Sequence, residues 1–259
     1  MTRLSDLSQE LDEAARTGIA IPQLSTRHGM ALDEAYALQR AVVDRRVARG
    51  ERRVGVKLGF TSRAKAAQMG VDDVIIGELT SGMLIPDGGK LNLRHLIHPR
   101  IEPEVAFRLG RTIHPDAPLE HAVTAVTAVA PALEIIDSRY HNFRFSLIDV
   151  VADNTSAAGV VLGTWRPMEP GIENRGVLLD VDGHITTGST AAILGDPLRA
   201  LTATARLAAA RNLALPAGTV ILAGAVTEAV ALTAGVAVEA RIAGLGCVTL
   251  KTERATIHD

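Results

Sequence analysis

The spacing of apolar and polar residues changes character about one fifth of the way along the chain. Behind Ser5, apolar residues return at helical spacing through Ala15, and Gly18 with Pro22 ends that run. A second helical pattern spans Met30 to Gly50, with Ala35, Leu38 and Val42 on one side. Arg45, Arg46 and Arg49 crowd towards its end, where cations favour the helix dipole. From Val54 the period becomes two: Val54, Val56, Leu58 and Phe60 alternate with Gly55, Lys57, Gly59 and Thr61, a strand with one unusual face. Ile101 to Phe107 alternates in the same way, and Ala122 to Ala132 fits a helix or a strand equally well. Gly159 to Gly163 reads as a short strand, Val177 to Val181 as a strand entering the turn Asp182-Gly183, and Leu198 to Arg211 as an alanine-rich helix. Val220 to Ala225 and Val236 to Leu250 come after Pro216-Ala-Gly218 and are broken by glycines, as in β-hairpins. Helices first, then strands without a βα rhythm, predict an α+β fold. Residues 1–52 are expected as a helical segment packed on a strand-rich core, 53–259, the two forming one cooperative domain.

Composition narrows the function classes. The 259 residues carry 27 basic and 29 acidic side chains, so no polybasic surface for nucleic acid is expected. Aromatics are 3%, too few for base-stacking platforms. Cys247 is the only cysteine, which excludes an internal disulfide or a cysteine metal cluster within one chain. The N-terminal residues lack the apolar core of a signal peptide, and no run of about 18 apolar residues occurs, so a soluble, cytoplasmic protein is expected. There is no G-x-G-x-x-G after a strand, no P-loop and no G-x-S-x-G elbow.

The chemistry concentrates in carboxylates and one lysine. Glu102 and Glu104 are two apart on an extended segment, so both project from one face while Ile101, Val105 and Phe107 project from the other. They read either as a solvated face paired with Arg100 or Arg108, or as ligands. Glu134, in Pro131-Ala-Leu-Glu-Ile-Ile-Asp137, is hemmed by apolar residues and is either a buried salt-bridge partner or a third ligand. Three converging carboxylates would call for a divalent cation, and oxygen-only ligation favours Mg²⁺ or Mn²⁺. Lys57 lies between Gly55 and Gly59, and glycines inside a strand mark close approach of a ligand or another backbone. Only Lys57, Lys65, Lys90 and Lys251 are lysines among 27 basic residues, and lysine, unlike arginine, can give up its proton when desolvated. His95 and His98 read more readily as loop residues than as ligands. Asp137-Ser-Arg139 and Asp153-Asn-Thr-Ser156 read as self-capping turns or as substrate contacts.

Five ordered segments carry a resemblance: Gly55-Val-Lys-Leu-Gly-Phe-Thr-Ser62, Gly70-Val-Asp72, His98-Pro-Arg-Ile-Glu-Pro-Glu104, Pro131-Ala-Leu-Glu-Ile-Ile-Asp-Ser-Arg139 and Ala152-Asp-Asn-Thr-Ser156. Together they resemble the 2-keto-4-pentenoate hydratase and 4-oxalocrotonate decarboxylase family, within the fumarylacetoacetate hydrolase-like superfamily. The resemblance implies a mixed β-roll core with N-terminal helices. It further implies Mg²⁺ or Mn²⁺ on Glu102, Glu104 and Glu134, Lys57 as a catalytic residue, and Ile75, Asp137, Arg139 and Ser156 around the substrate. Hydratases of the family look as though they carry an aspartate where this chain has Ile75, which can neither hold nor deprotonate a water. Pro103 and the stretch Asp137 to Phe145 also resemble the decarboxylase branch. The resemblance thus implies conversion of 2-oxo-3-hexenedioate to 2-hydroxy-2,4-pentadienoate and CO₂ in meta-cleavage catabolism of aromatic compounds. The alternatives are a hydratase adding water to 2-hydroxypentadienoate, or a weakly active subunit that stabilises a hydratase partner. It also implies a homo-oligomer and a complex with a homologous hydratase. Glu228 departs from the family pattern and is expected to bring an added charge towards the pocket.

Overall fold

The computed structural model describes residues 3–62 and 73–253; the segment Gly70-Val-Asp72 and Lys65 lie outside the described residues. Three helices open the chain: α1 (Arg3–Thr17), the single turn α2 (Leu24–Arg27) and α3 (Leu32–Ala48). The short α2 has no counterpart in the sequence pattern, because four residues are too few to show a period. A larger sheet comes next, built from β1 (Arg53–Gly59), β2 (Ile75–Thr80), β3 (Leu84–Ile85), β5 (Arg100–Leu109), β6 (Val126–Ile136), β7 (Ala157–Leu162), β8 (Arg166–Pro167), β11 (Val220–Ala225) and β12 (Val230–Ala231). Its main path runs β2-β1-β11-β5-β6-β7-β3, and the sheet curls into a half-barrel. A smaller sheet contains β4 (Lys90–Leu91), β9 (Gly176–Val181), β10 (His184–Ser189), β13 (Ala237–Ile242) and β14 (Gly246–Thr252). No helix among the described residues is long and apolar enough to cross a membrane.

Two expectations are resolved by pairing. The ambiguous stretch from Ala122 divides: His121–Thr124 forms a single helical turn, and Val126–Ile136 is the longest strand of the sheet. Val220–Ala225 forms no hairpin. It lies parallel to β1 and antiparallel to β5, whereas β13 and β14 form a hairpin in the other sheet.

Strand register decides what lines the inside of the curl. Gly77 pairs with Lys57, Lys57 with Leu222, Leu222 with Ala106, and Glu104 with Ala132; Glu102 pairs with Glu134, and Glu134 with Val160. Because paired residues share a face, these side chains all point inward. Leu79, Ala106, Ala132, Val160, Val220 and Leu222 close one end of the interior with an apolar cluster. The charged residues occupy the other. On the outside, Ile101, Leu133, Ile135 and Val161 pack against Leu179, Val238, Val248 and Leu250 of the smaller sheet.

β2 ends the sheet, and its outward backbone groups are capped by side chains rather than by another strand. Tyr36 Oη accepts from Ile76 N at 3.4 Å, and Gln39 Nε2 donates to Ile76 O at 2.9 Å. Asn154 does the same one pair further on, with Oδ1 accepting from Glu78 N and Nδ2 donating to Glu78 O, both at 2.8 Å. An unpaired edge is thereby satisfied inside the protein.

Candidate metal and substrate site

Glu102 and Glu104 are successive inward residues of β5, and Glu134 faces Glu102 across the β5–β6 ladder. Each offers a carboxylate oxygen, and these oxygens lie within 4.8 Å of one another. The three residues are buried, Glu104 and Glu134 completely. The solvated-face reading of Glu102 and Glu104 therefore fails, and the arginines expected to pair with them are elsewhere. Arg100 stacks 4.6 Å above the Phe143 ring and Arg108 4.9 Å above Trp165.

Two backbone devices hold the site. β11 bulges between Leu222 and Ala225, which turns the Gly224 N–H onto Glu104 Oε2 at 2.8 Å. Gly224 has φ of 121°, and a Cβ there would fall 2.0 Å from Thr61 Oγ1, so only glycine fits. On the other side, Lys57 Nζ lies 2.9 Å from Glu134 Oε1 and donates to Thr155 O at 3.0 Å.

Charge in the cluster is out of balance. Among the described residues, three carboxylates gather around the Lys57 ammonium, and Glu104 Oε1 and Glu134 Oε2 are buried without a hydrogen-bond donor. Burial, reinforced by the charge of Glu134, pushes Glu104 well above the usual carboxylate range. Burial also raises Glu134, with Lys57 only partly opposing it. For Lys57 burial favours the neutral amine, but Glu134, Glu104 and Glu102 outweigh it and hold the ammonium above its ordinary value. Orphaned carboxylate oxygens, an oxygen-only donor set and surplus negative charge all fit a hard divalent cation such as Mg²⁺.

The other sequence-derived candidates fall into two groups. Ile75 is buried opposite Gly59 and shares the inward face with Lys57. Ser156 is buried, with its Oγ unpartnered among the described residues. Asp137 and Arg139 spend their polar atoms on the protein itself. Asp137 Oδ2 and Oδ1 accept from Ile97 N and His98 N at 2.9 and 2.5 Å. Arg139 grips Asp153 through Nε and its backbone N–H, and donates to Asp153 O at 2.6 Å and Ala157 O at 3.3 Å. Glu228 is exposed, not in the interior. Sequence reading did not single out the Thr155 carbonyl, the Gly224 N–H or Gly77, since backbone groups and a glycine on an unassigned strand leave no residue-type signal.

A curled mixed sheet holding a buried glutamate trio beside a lysine defines a metal-dependent enzyme. The chain belongs to the fumarylacetoacetate (FAA) hydrolase C-terminal family, whose profile matches residues 54–252. It is 50% identical over 208 residues to a 4-oxalocrotonate decarboxylase of Pseudomonas sp, covering 80% of this chain and 81% of that protein. A 2-keto-4-pentenoate hydratase of Paraburkholderia xenovorans (strain LB400) is 37% identical over 78% of this chain and 77% of its own length. The structure of 4-oxalocrotonate decarboxylase from Pseudomonas putida G7, complexed with magnesium and adipate, superposes with a TM-score of 0.92 at 36% identity, covering 97% of this chain and 98% of that one. The family and the mixed β-roll architecture implied by the sequence segments are thus found.

Proposed function

We propose that this protein is a Mg²⁺-dependent carboxy-lyase that converts 2-oxo-3-hexenedioate to 2-hydroxy-2,4-pentadienoate and CO₂ in meta-cleavage catabolism of aromatic compounds. The observation that carries the reading is the buried trio Glu102, Glu104 and Glu134, whose carboxylate oxygens converge within 4.8 Å of one another, with Lys57 at its side. These three residues would hold Mg²⁺ or Mn²⁺. Once bound, the ion supplies Lewis-acid stabilisation of the negative charge that grows on the keto oxygen as CO₂ leaves. The bond to the departing carboxyl carbon breaks, and its electron pair passes along the conjugated chain to that oxygen. Lys57 Nζ, held between Glu134 Oε1 and the Thr155 carbonyl, serves as a positive charge or proton donor to that oxygen. Ile75 offers no group to bind or ionise a water, which favours loss of CO₂ over hydration. The higher identity to a decarboxylase than to a hydratase supports the same choice.

The substrate is a small keto-diacid met in the cytoplasm. The product is the substrate of a hydratase, which supports a working complex with a homologous hydratase and an oligomeric assembly. Chelator-stripped protein is to be given 2-oxo-3-hexenedioate with and without Mg²⁺, and in parallel 2-hydroxypentadienoate. Metal-dependent CO₂ release with no consumption of the dienoate is expected. Dienoate consumption without CO₂ would make it a hydratase and overturn the part given to Ile75.

A further inference from the structure

Lys57 owes its place to a short segment that makes no use of glycine. Asn154, Thr155 and Ser156 stand in succession with φ of 48°, 56° and 57°, three non-glycine residues in the left-handed region. The turn hooks over the free edge of β2 and lays Thr155 against the inner face. A Cβ on Gly59 would come within 2.8 Å of Thr155 Cγ2, and one on Gly77 within 2.8 Å of Asn154 O. In this position the Thr155 carbonyl receives Lys57 Nζ. Two clamps hold the turn. Arg139 binds the residues on both sides of it, Asp153 and Ala157. The Asn154 carboxamide takes the place of a missing strand residue against both backbone groups of Glu78.

We propose that Asn154 is a positioning residue for Lys57: its carboxamide latches the left-handed turn onto the edge of β2, and the turn presents the Thr155 carbonyl that fixes the Lys57 ammonium beside Glu134. Arg139 serves the same turn from behind. The inference rests on the role of Lys57 in the proposed decarboxylation. A lysine with four rotatable bonds has many orientations, and the two acceptors, Thr155 O and Glu134 Oε1, select one. Displacing the Thr155 acceptor frees the ammonium while leaving the three carboxylates that would hold the metal in the chain.

The test compares Asn154→Gly, Asn154→Asp, Lys57→Met and the double variant Asn154→Gly/Lys57→Met in the Mg²⁺-loaded enzyme. Glycine adopts the left-handed region freely, so Asn154→Gly removes the latch without adding backbone strain. It is expected to lower kcat by about ten- to a hundredfold, with KM and Mg²⁺ affinity unchanged within about twofold. Asn154→Asp keeps an acceptor for Glu78 N and is expected to retain more of kcat than glycine; it carries the comparison if the glycine variant fails to fold. In the double variant, Asn154→Gly is expected to add nothing to the loss caused by Lys57→Met, because both act through one ammonium. Wild-type kcat in Asn154→Gly, or losses that multiply in the double variant, would overturn the inference while leaving the proposed function standing. Wild-type activity in Lys57→Met would instead remove Lys57 from the mechanism, and the inference with it.

Discussion

Burial strips Lys57 of water and favours its neutral form, while Glu134, Glu104 and Glu102 oppose that and hold the ammonium above its ordinary value. Lys57→Met is therefore expected to lower kcat by about 10²- to 10⁴-fold, the range of a positioned acid, as measured by CO₂ release. Lys57→Arg is expected to restore little, since a planar fork cannot fill a site shaped around a point charge. The glutamates predict a different readout. Mg²⁺ that binds only the folded chain stabilises it by about 2.7 kcal/mol at a hundred times its Kd. Glu134→Gln removes one charged ligand, so most of the Mg²⁺-induced rise in Tm should vanish, and calorimetry should show affinity down at least about tenfold. A Glu134→Gln protein with the full rise would take Glu134 out of the metal site. In the sequence, the spacing of Glu102 and Glu104 told which face they share. It could not tell that Glu134 lies opposite Glu102, because strand register is set by pairing between segments far apart in the chain.

The turn Asn154–Ser156 shows how an element can be costly and still persist. Each left-handed non-glycine residue costs about 1–2 kcal/mol, and hydrogen bonds from Arg139 and Asn154 offset that cost. Gly77→Ala would press a methyl to within 2.8 Å of Asn154 O. It is expected to destabilise the protein by about 1–3 kcal/mol, as overpacking does, and denaturant titration measures this. The clamp also carries a pH signature. Burial lifts Asp153 to about 6, against the pull of Arg139. Its contribution to stability is present in full below its ordinary value of 3.8 and is lost as pH rises towards about 6, because the unfolded chain ionises first. Asp153→Asn puts a neutral amide where the carboxyl titrates, so only the wild type loses stability as pH rises through this range. The difference in stability between wild type and this variant should shrink between pH 4 and 6; a constant difference would show that Asp153 does not titrate there. The glycines beside Lys57 were legible as a sign of close approach, but not what approaches. Gly59 makes room for the turn and Gly55 for the Val220 backbone of β11, and a neighbouring backbone leaves the same trace in sequence as a ligand would.

At the scale of the whole molecule, the expected order of helices before strands is present, and the change of period near Val54 marks the first strand. What periodicity could not convey is how intimately the two parts share one interior. Leu24, Ala35 and Leu38 are fully buried in a cluster with Leu58, Ile76 and Val151. Gln39 Nε2 also bridges Ile76 O and Val151 O at 2.9 and 3.0 Å, tying α3 to β2 and to the segment leading into the left-handed turn. We infer that residues 1–52 and 53–259 unfold as one unit. Removing residues 1–52 would expose this apolar layer and leave Ile76 without the partners that cap its backbone groups. The shortened chain is expected to lose its sharp thermal transition, to bind a hydrophobic dye at low temperature and to release no CO₂. In the full chain, near- and far-ultraviolet circular dichroism should report the same midpoint. A shortened chain that melts sharply within a few degrees of the full one would separate the helical segment from the cooperative unit. That result would also show that the edge of β2, on which the Lys57 latch depends, holds without α3.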